Sequence, residues 1–321
     1  MSLSAIGIPG RREGAPATVP ACACRSCGRP AAGRCACPRE LNAATYARHG
    51  ARGFSLVELV MVIALAGVVA VMISVVMSRP LQGFVDQSRR AELVDLASGA
   101  LDRMVRDVRA AVPNSVRVTG TGQLELLRSP VSGRYRANLD NGTRRDPPAC
   151  SASPCTIQVL SPVTAEERKQ IDGMNWMVIY NIGNAGAGNG VWPPHDTASS
   201  VITPKLAFAH SGGNLTLSGS AVAGFAFRYA SPQHRFYLAD AVVGYRCTGG
   251  RILRKEFATL GSAASYDYAD AAPLVNSVRS CTFRYEPGNA MRGGLVTLEL
   301  VLEQAGERIS LLQQVHIDNA P

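Results

Sequence analysis

From Leu59 to Met77 every side chain is apolar except Ser74, and no charge interrupts the run. About nineteen residues at roughly 1.5 Å each make about 28 Å of helix, enough to cross a bilayer's hydrocarbon core. The pattern predicts a membrane-spanning helical half over residues 54–79. Pro80 and Gly83 come directly after it and are expected to kink or locally melt the helix. From Phe84 the apolar positions fall at helical spacing: Leu93, Leu96, Ala97, Leu101, Met104, Val105, Val108 and Val112. Arg89, Arg90, Asp95, Asp102, Arg103, Arg106 and Arg109 take the other side, with Asp102 and Arg106 spaced as an i, i+4 ion pair. Pro113 ends the pattern. One long helix is therefore expected over about 54–112, its second half (80–112) laying an apolar stripe on a globular head.

After Asn114 the pattern changes to short strands between turn residues. The strand candidates are 115–118, 123–127, 156–160, 175–180, 215–218, 224–229, 235–239, 242–246, 252–257, 279–285, 295–303 and 308–316. The last two flank Gln304–Glu307, which reads as a hairpin. No repeat period is present. Residues 113–321 are long enough to bury a substantial core as one antiparallel, β-rich domain, with room for two joined sheets. The fold class is α+β.

Charge sets the orientation. The chain carries a formal net charge of +9, and residues 1–53 hold eight Arg, no Lys and two Glu. About six of the nine positive charges thus precede the apolar run, which keeps that end cytoplasmic and sends the head across the membrane. The remainder is only mildly basic and does not argue for nucleic-acid binding. A secretory signal would place its cleavage site after the apolar core. Here Arg52 and the small residue Gly53 come before it. A cut between Gly53 and Phe54 would leave the whole apolar segment on the mature chain, with a new amine on Phe54. Glu58 lies one helical turn further on, where a carboxylate in lipid costs about 2–3 kcal/mol.

Gly53-Phe54-Ser55-Leu56-Val57-Glu58 and the apolar run behind it resemble the signal of type IV pilins and type II secretion pseudopilins, G-F-[ST]-L-[VI]-E. Several head segments are jointly similar to the MshO family, large minor pilin-like subunits of the MSHA (mannose-sensitive haemagglutinin) type IV pilus system. They are Ala111–Val118, Ser132–Arg136, Val178–Asn181, Ser231-Pro232 with Arg235-Phe236, Tyr245–Cys247 and Val315–Pro321. The resemblance covers residues 52–321. It implies a type IV pilin-like fold, cleavage after Gly53 by a prepilin peptidase and N-methylation of Phe54. It also implies docking of Glu58 onto the Phe54 amine of an adjacent subunit. The implied role is structural: a low-abundance subunit that starts or caps a fibre, with other minor and major pilins and the inner-membrane assembly platform as partners. No enzyme activity, cofactor or metal is implied. The implied location is the inner membrane, with a single span and a periplasmic head, and then the fibre. Two other classes fit the same outline: a type II secretion minor pseudopilin of the fibre tip, and a membrane-anchored periplasmic enzyme or sugar-binding module.

The leader, residues 1–53, contains Cys22, Cys24, Cys27, Cys35 and Cys37. Their spacing imitates a zinc site, but the segment lacks a helix pattern and large apolar residues, and it is expected to be cut away. A later translation start, for instance at Leu41, would equally leave a short Arg-bearing leader. Cys150, Cys155, Cys247 and Cys281 suit an oxidising compartment. Four cysteines allow three pairings; proximity favours 150–155 and 247–281. Gly183, Gly186, Gly188 and Gly190 superficially suggest a phosphate cradle. The next residues are Val191-Trp192-Pro193-Pro194, which cannot begin the helix such a site needs, so the segment reads as a loop. H-E-x-x-H and G-x-S-x-G are absent, and the five histidines are scattered. Asp140-Asn141-Gly142 and Asp267 with Asp270 read as solvated turns rather than calcium loops.

Overall fold

The computed structural model describes residues 53–183, 188–195, 198–288 and 293–317, with the backbone alone at 78–82. The chain divides into two compact units, one ending at Ile63 and one beginning at Ala64. The cysteine-rich leader lies outside the described residues.

Helix α1 covers Leu56–Arg109. It stays helical through Pro80 and Gly83, where local melting was expected. A proline removes one i→i−4 bond, and the long helical stretches on either side keep theirs. The helix is also shorter than 54–112 at both ends. At its C-terminus Ala111 donates to the Val108 carbonyl at 3.2 Å, tightening the last turn, and Val112 then donates to the Leu127 carbonyl at 2.9 Å. The chain leaves the helix because its backbone finds a sheet partner, shortly before Asn114 turns it in the left-handed region at φ 57°.

Leu93, Ala97, Ala100, Leu101, Met104, Val105 and Val108 of α1 are buried. They share one core with residues of two antiparallel sheets, among them Leu124, Leu126, Val243, Tyr245, Phe283, Leu298 and Leu300. Leu96, assigned to the stripe by spacing, stands 46 % exposed, and Ala100 takes the inward place. The first sheet has five strands in the order Arg117–Thr119, Gln123–Arg128, Ala241–Thr248, Arg251–Phe257, Ala272–Val275. The second is a meander of Val278–Glu286, Gly294–Gln304 and Glu307–Ile317. Its last turn is Ala305-Gly306, both at positive φ (49° and 88°), as a two-residue hairpin with twisted strands requires. The sheets meet where Phe283 donates to the Thr121 carbonyl at 2.8 Å.

Arg128 and Ala241 face each other directly in the five-stranded sheet, so everything from 129 to 240 is inserted between two neighbouring strands. The insertion builds its own small sheets. Val131–Arg134, Arg235–Ala239 and Trp176–Val178 form one; Cys155–Gln158, Asn214–Ser218 and Ala207–Ser211 form another. A third joins Ala149–Cys150, Phe225–Phe227 and Ser199–Ser200. A separate core of Ile157, Met177, Phe208, Phe225, Phe227 and Phe236 lies within it. A third cluster, with Val112, Leu127, Trp176, Val178, Tyr266 and Tyr268, joins the insertion to the first sheet. Helix α2, Ala165–Ile171, opens with a capping box: Thr164 accepts from the Glu167 backbone, and the Glu167 carboxylate accepts from Thr164.

A polar seam fixes α1 to the first sheet. Asp107, 6 % exposed, accepts from the Tyr245 hydroxyl at 2.5 Å and from the Arg254 Nε at 2.8 Å. Arg254 also reaches Glu256 at 2.8 Å, and Glu256 pairs with Arg128 at 2.6 Å. Arg128 forks onto Asp240 at 2.6 Å, at the insertion's exit. The i, i+4 pair on the helix is Arg103–Asp107 at 3.8 Å; among the described residues none joins Asp102 to Arg106. Burial first, and then the adjacent Asp107 carboxylate, hold the Tyr245 hydroxyl well above the usual phenol range.

Candidate functional site

Residues Gly53, Phe54 and Ser55 precede α1 in non-helical backbone. The reason is local. Ser55 stands at the N-cap: its carbonyl accepts from the Leu59 N–H at 3.1 Å, and its Oγ accepts from the Glu58 N–H at 3.1 Å. Phe54 is therefore not a full member of the helix, and the expected one-turn spacing between Phe54 and Glu58 does not hold in this chain. The structural role of Ser55 is invisible to the apolar pattern, although Ser55-x-x-Glu58 has the spacing of a capping box. Glu58 falls in the first turn, where the positive end of the helix dipole favours a carboxylate. A Cβ built on Gly53 meets no described atom within 4 Å, so the fold of this chain does not require a glycine there.

Behind this segment, Leu56–Met77 is a 22-residue stretch long and apolar enough to cross a membrane, and none of it is buried within the chain. Phe54 is 75 % exposed, and Glu58 is exposed as well. The arrangement is a carboxylate at the head of a helix whose apolar surface has no cover of its own.

Cys150 and Cys155 are joined across the loop 151–154 with Cα atoms 5.5 Å apart. Asp140 supports that loop by accepting from the Ser151 hydroxyl at 2.5 Å and its backbone N–H at 3.1 Å, which holds its carboxyl below the usual range. Cys247 and Cys281 are joined with Cα atoms 6.4 Å apart, tying the middle strand of the first sheet to the first strand of the second.

The glycine-rich stretch is a loop where it is described; Gly186 lies outside the described residues. Gly188 has φ 80°, and a Cβ there would sit 2.8 Å from the Ser199 carbonyl. Trp192 donates its indole N–H to the Ser115 carbonyl at 3.0 Å, while the Arg117 guanidinium lies 3.7 Å over its ring. His195 Nε2 is 3.0 Å from the Val191 carbonyl, and burial lowers its pKa. Asp267 closes a turn by accepting from the Ala269 N–H at 2.9 Å. Among the described residues no three His, Cys, Asp or Glu side chains converge as they would around a metal ion.

A family model described as the prokaryotic N-terminal methylation motif matches residues 48–74. No curated protein and no solved structure matches the chain. The matched stretch contains Gly53, Phe54, Glu58 and most of the apolar span, and it is the type IV pilin and pseudopilin signature. The chain is thus pilin-like in this segment: an N-terminal apolar helix followed by a strand-rich head, pointing to a structural subunit rather than an enzyme.

Proposed function

We propose that the protein is a minor subunit of an MSHA-type type IV pilus, related to MshO, and that it acts in starting or capping the fibre. A prepilin peptidase cuts between Gly53 and Phe54 and methylates the new Phe54 amine. The span then holds the subunit in the inner membrane, leader side cytoplasmic and head periplasmic, until the assembly platform passes it to other minor and major pilins. The observation that carries the reading is the matched segment itself: Gly53 through Glu58 ahead of a span whose apolar side chains are all exposed. Such a helix is covered first by lipid and then by the helices of neighbouring subunits. In the dry interior of a fibre the Glu58 carboxylate requires a cation, and the methylated N-terminus of Phe54 on a neighbour, still protonated, supplies one. The insertion of residues 129–240 makes the head bulky, which favours an end position over repetition along a thin filament.

The test separates insertion, processing and assembly. Glu58→Ala is expected to leave membrane insertion and cleavage intact while protein in sheared fibres, and fibres per cell, fall. Losing one partner of a buried ion pair costs about 3–5 kcal/mol, enough to remove the variant from the fibre. Normal incorporation with normal fibre counts would leave only an ordinary membrane anchor.

A further inference from the structure

The insertion carries a basic strip. Tyr135 is fully buried, its hydroxyl accepting from the Ser231 N–H at 3.1 Å, and burial pushes its pKa up to about 12. Because side chains alternate along an extended backbone, burying Tyr135 turns Arg134 and Arg136 outward together, about 7 Å apart. Both are exposed. Arg235 pairs directly opposite Arg134, which brings a second guanidinium to the same face. A hollow of about 290 Å³ here is lined by Ser132, Arg134, Ser161, Arg235 and Tyr237. One pleat further on, Arg136 and Arg144 line a hollow of about 470 Å³ with Thr156, Gln158 and Asn214.

The arginines that serve the fold are spoken for. Arg117 pairs with Glu125, Arg128 with Asp240 and Glu256, and Arg254 with Asp107 and Glu256. The guanidiniums of Arg134, Arg136 and Arg144 have no carboxylate partner among the described residues. The acids nearest in sequence are already engaged, Asp140 with Ser151 and Asp146 with His234 at 3.0 Å. Guanidinium forks spaced along two neighbouring hollows suit separate oxyanions that each accept two parallel hydrogen bonds, and the hydroxyls and amides between them suit polyols. A DNA duplex presents phosphates with few free hydroxyls and would leave Thr156, Gln158 and Asn214 between the arginines without matching partners. We propose that the strip from Arg134 to Arg136 and Arg144 binds an acidic polysaccharide through its carboxylate or sulfate groups.

The test uses the full chain in non-ionic detergent, with polygalacturonate, dextran sulfate, neutral dextran and a short DNA duplex as probes. Binding is expected to at least one acidic polymer and not to neutral dextran, weakening as salt is raised. Replacing two charge-assisted contacts in R136Q/R144Q is expected to weaken it about tenfold or more at an unchanged thermal midpoint. R136K/R144K, which keeps the charge but loses the fork, should fall between the parent and R136Q/R144Q, and R251Q, an exposed arginine on the first sheet, should retain all of the affinity. Failure to bind either acidic polymer would overturn the proposal, as would an equal loss in R251Q. Tighter binding to DNA than to both polymers would reassign the strip to nucleic acid. All readouts are in solution, so they stand apart from fibre assembly.

Discussion

Asp107 occupies a place on α1 where spacing from Met104 and Val108 calls for an apolar side chain. It is instead the point at which helix and sheet are tied, through the Tyr245 hydroxyl and the Arg254 guanidinium. Asp107→Ala would take from the largely buried Arg254 one of its two carboxylates, a change that costs less than the ~3–5 kcal/mol of a buried charge left wholly unpaired, because Glu256 at 2.8 Å remains. A clear drop in thermal midpoint in detergent is expected, with Asp107→Asn intermediate; a midpoint within a degree or so of the parent would show that apolar packing alone holds the helix. An acid inside the stripe was visible in the sequence, but its partners lie about 140 residues away, and no local pattern announces them. Glu256 gives the seam a pH dependence. Burial alone would raise its pKa, but the hydrogen bonds and charges of Arg128 and Arg254 outweigh burial and bring it below the usual carboxylate value. Its contribution is therefore present above the ordinary pKa of about 4.3 and is lost as pH falls through the lower folded value. Between about pH 6 and pH 3 the parent should lose more thermal stability than Glu256→Gln; parallel curves would remove Glu256 from the account.

Elements with strong periodicity were legible. The second half of α1 and the final hairpin come directly from where Leu93, Met104, Leu298 and Leu300 fall. The insertion was harder to read. Ala149–Cys150 and Ser199–Ser200 are two-residue strands, too short for any alternation to register, and they exist because Phe225–Phe227 lies between them. Helix α2 escaped for another reason. Its seven residues bury only Ile171, so no stripe marks it, although Thr164-x-x-Glu167 is a legible start signal. The disulfides act at this scale, between elements rather than within them. Non-reducing mass mapping is expected to link Cys150 with Cys155 and Cys247 with Cys281; free thiols at all four would refute both. On the chain-entropy model the closed loops are worth about 2 and 4 kcal/mol. Cys247→Ser should therefore lower the midpoint more than Cys150→Ser, and it should loosen the seam between the two sheets.

At the scale of the whole molecule, the two proposed roles are separable. The N-terminal segment is proposed to direct processing: Gly53→Leu is expected to accumulate uncut protein in the membrane, whereas Gly53→Ala is expected to be cut. A Cβ at this position meets no described atom, so a block in Gly53→Leu would lie with the peptidase and not with misfolding. Normal maturation of Gly53→Leu, read by N-terminal mass spectrometry, would move the cut elsewhere. The second half of the helix and the two sheets share one core, and the insertion has a core of its own. Arg128 and Ala241 sit across from each other on paired strands, so the inserted chain leaves and returns through a doorway about 5 Å wide. What passes through that doorway can be exchanged only if the replacement restores its contacts with the frame: cover for Val112, Leu127 and Tyr268, the Asp240 carboxylate on Arg128, and the Trp192 indole on Ser115 and Arg117. The insertion is in that sense a cassette, joined to the helix and sheets by two strand ends and a short set of contacts.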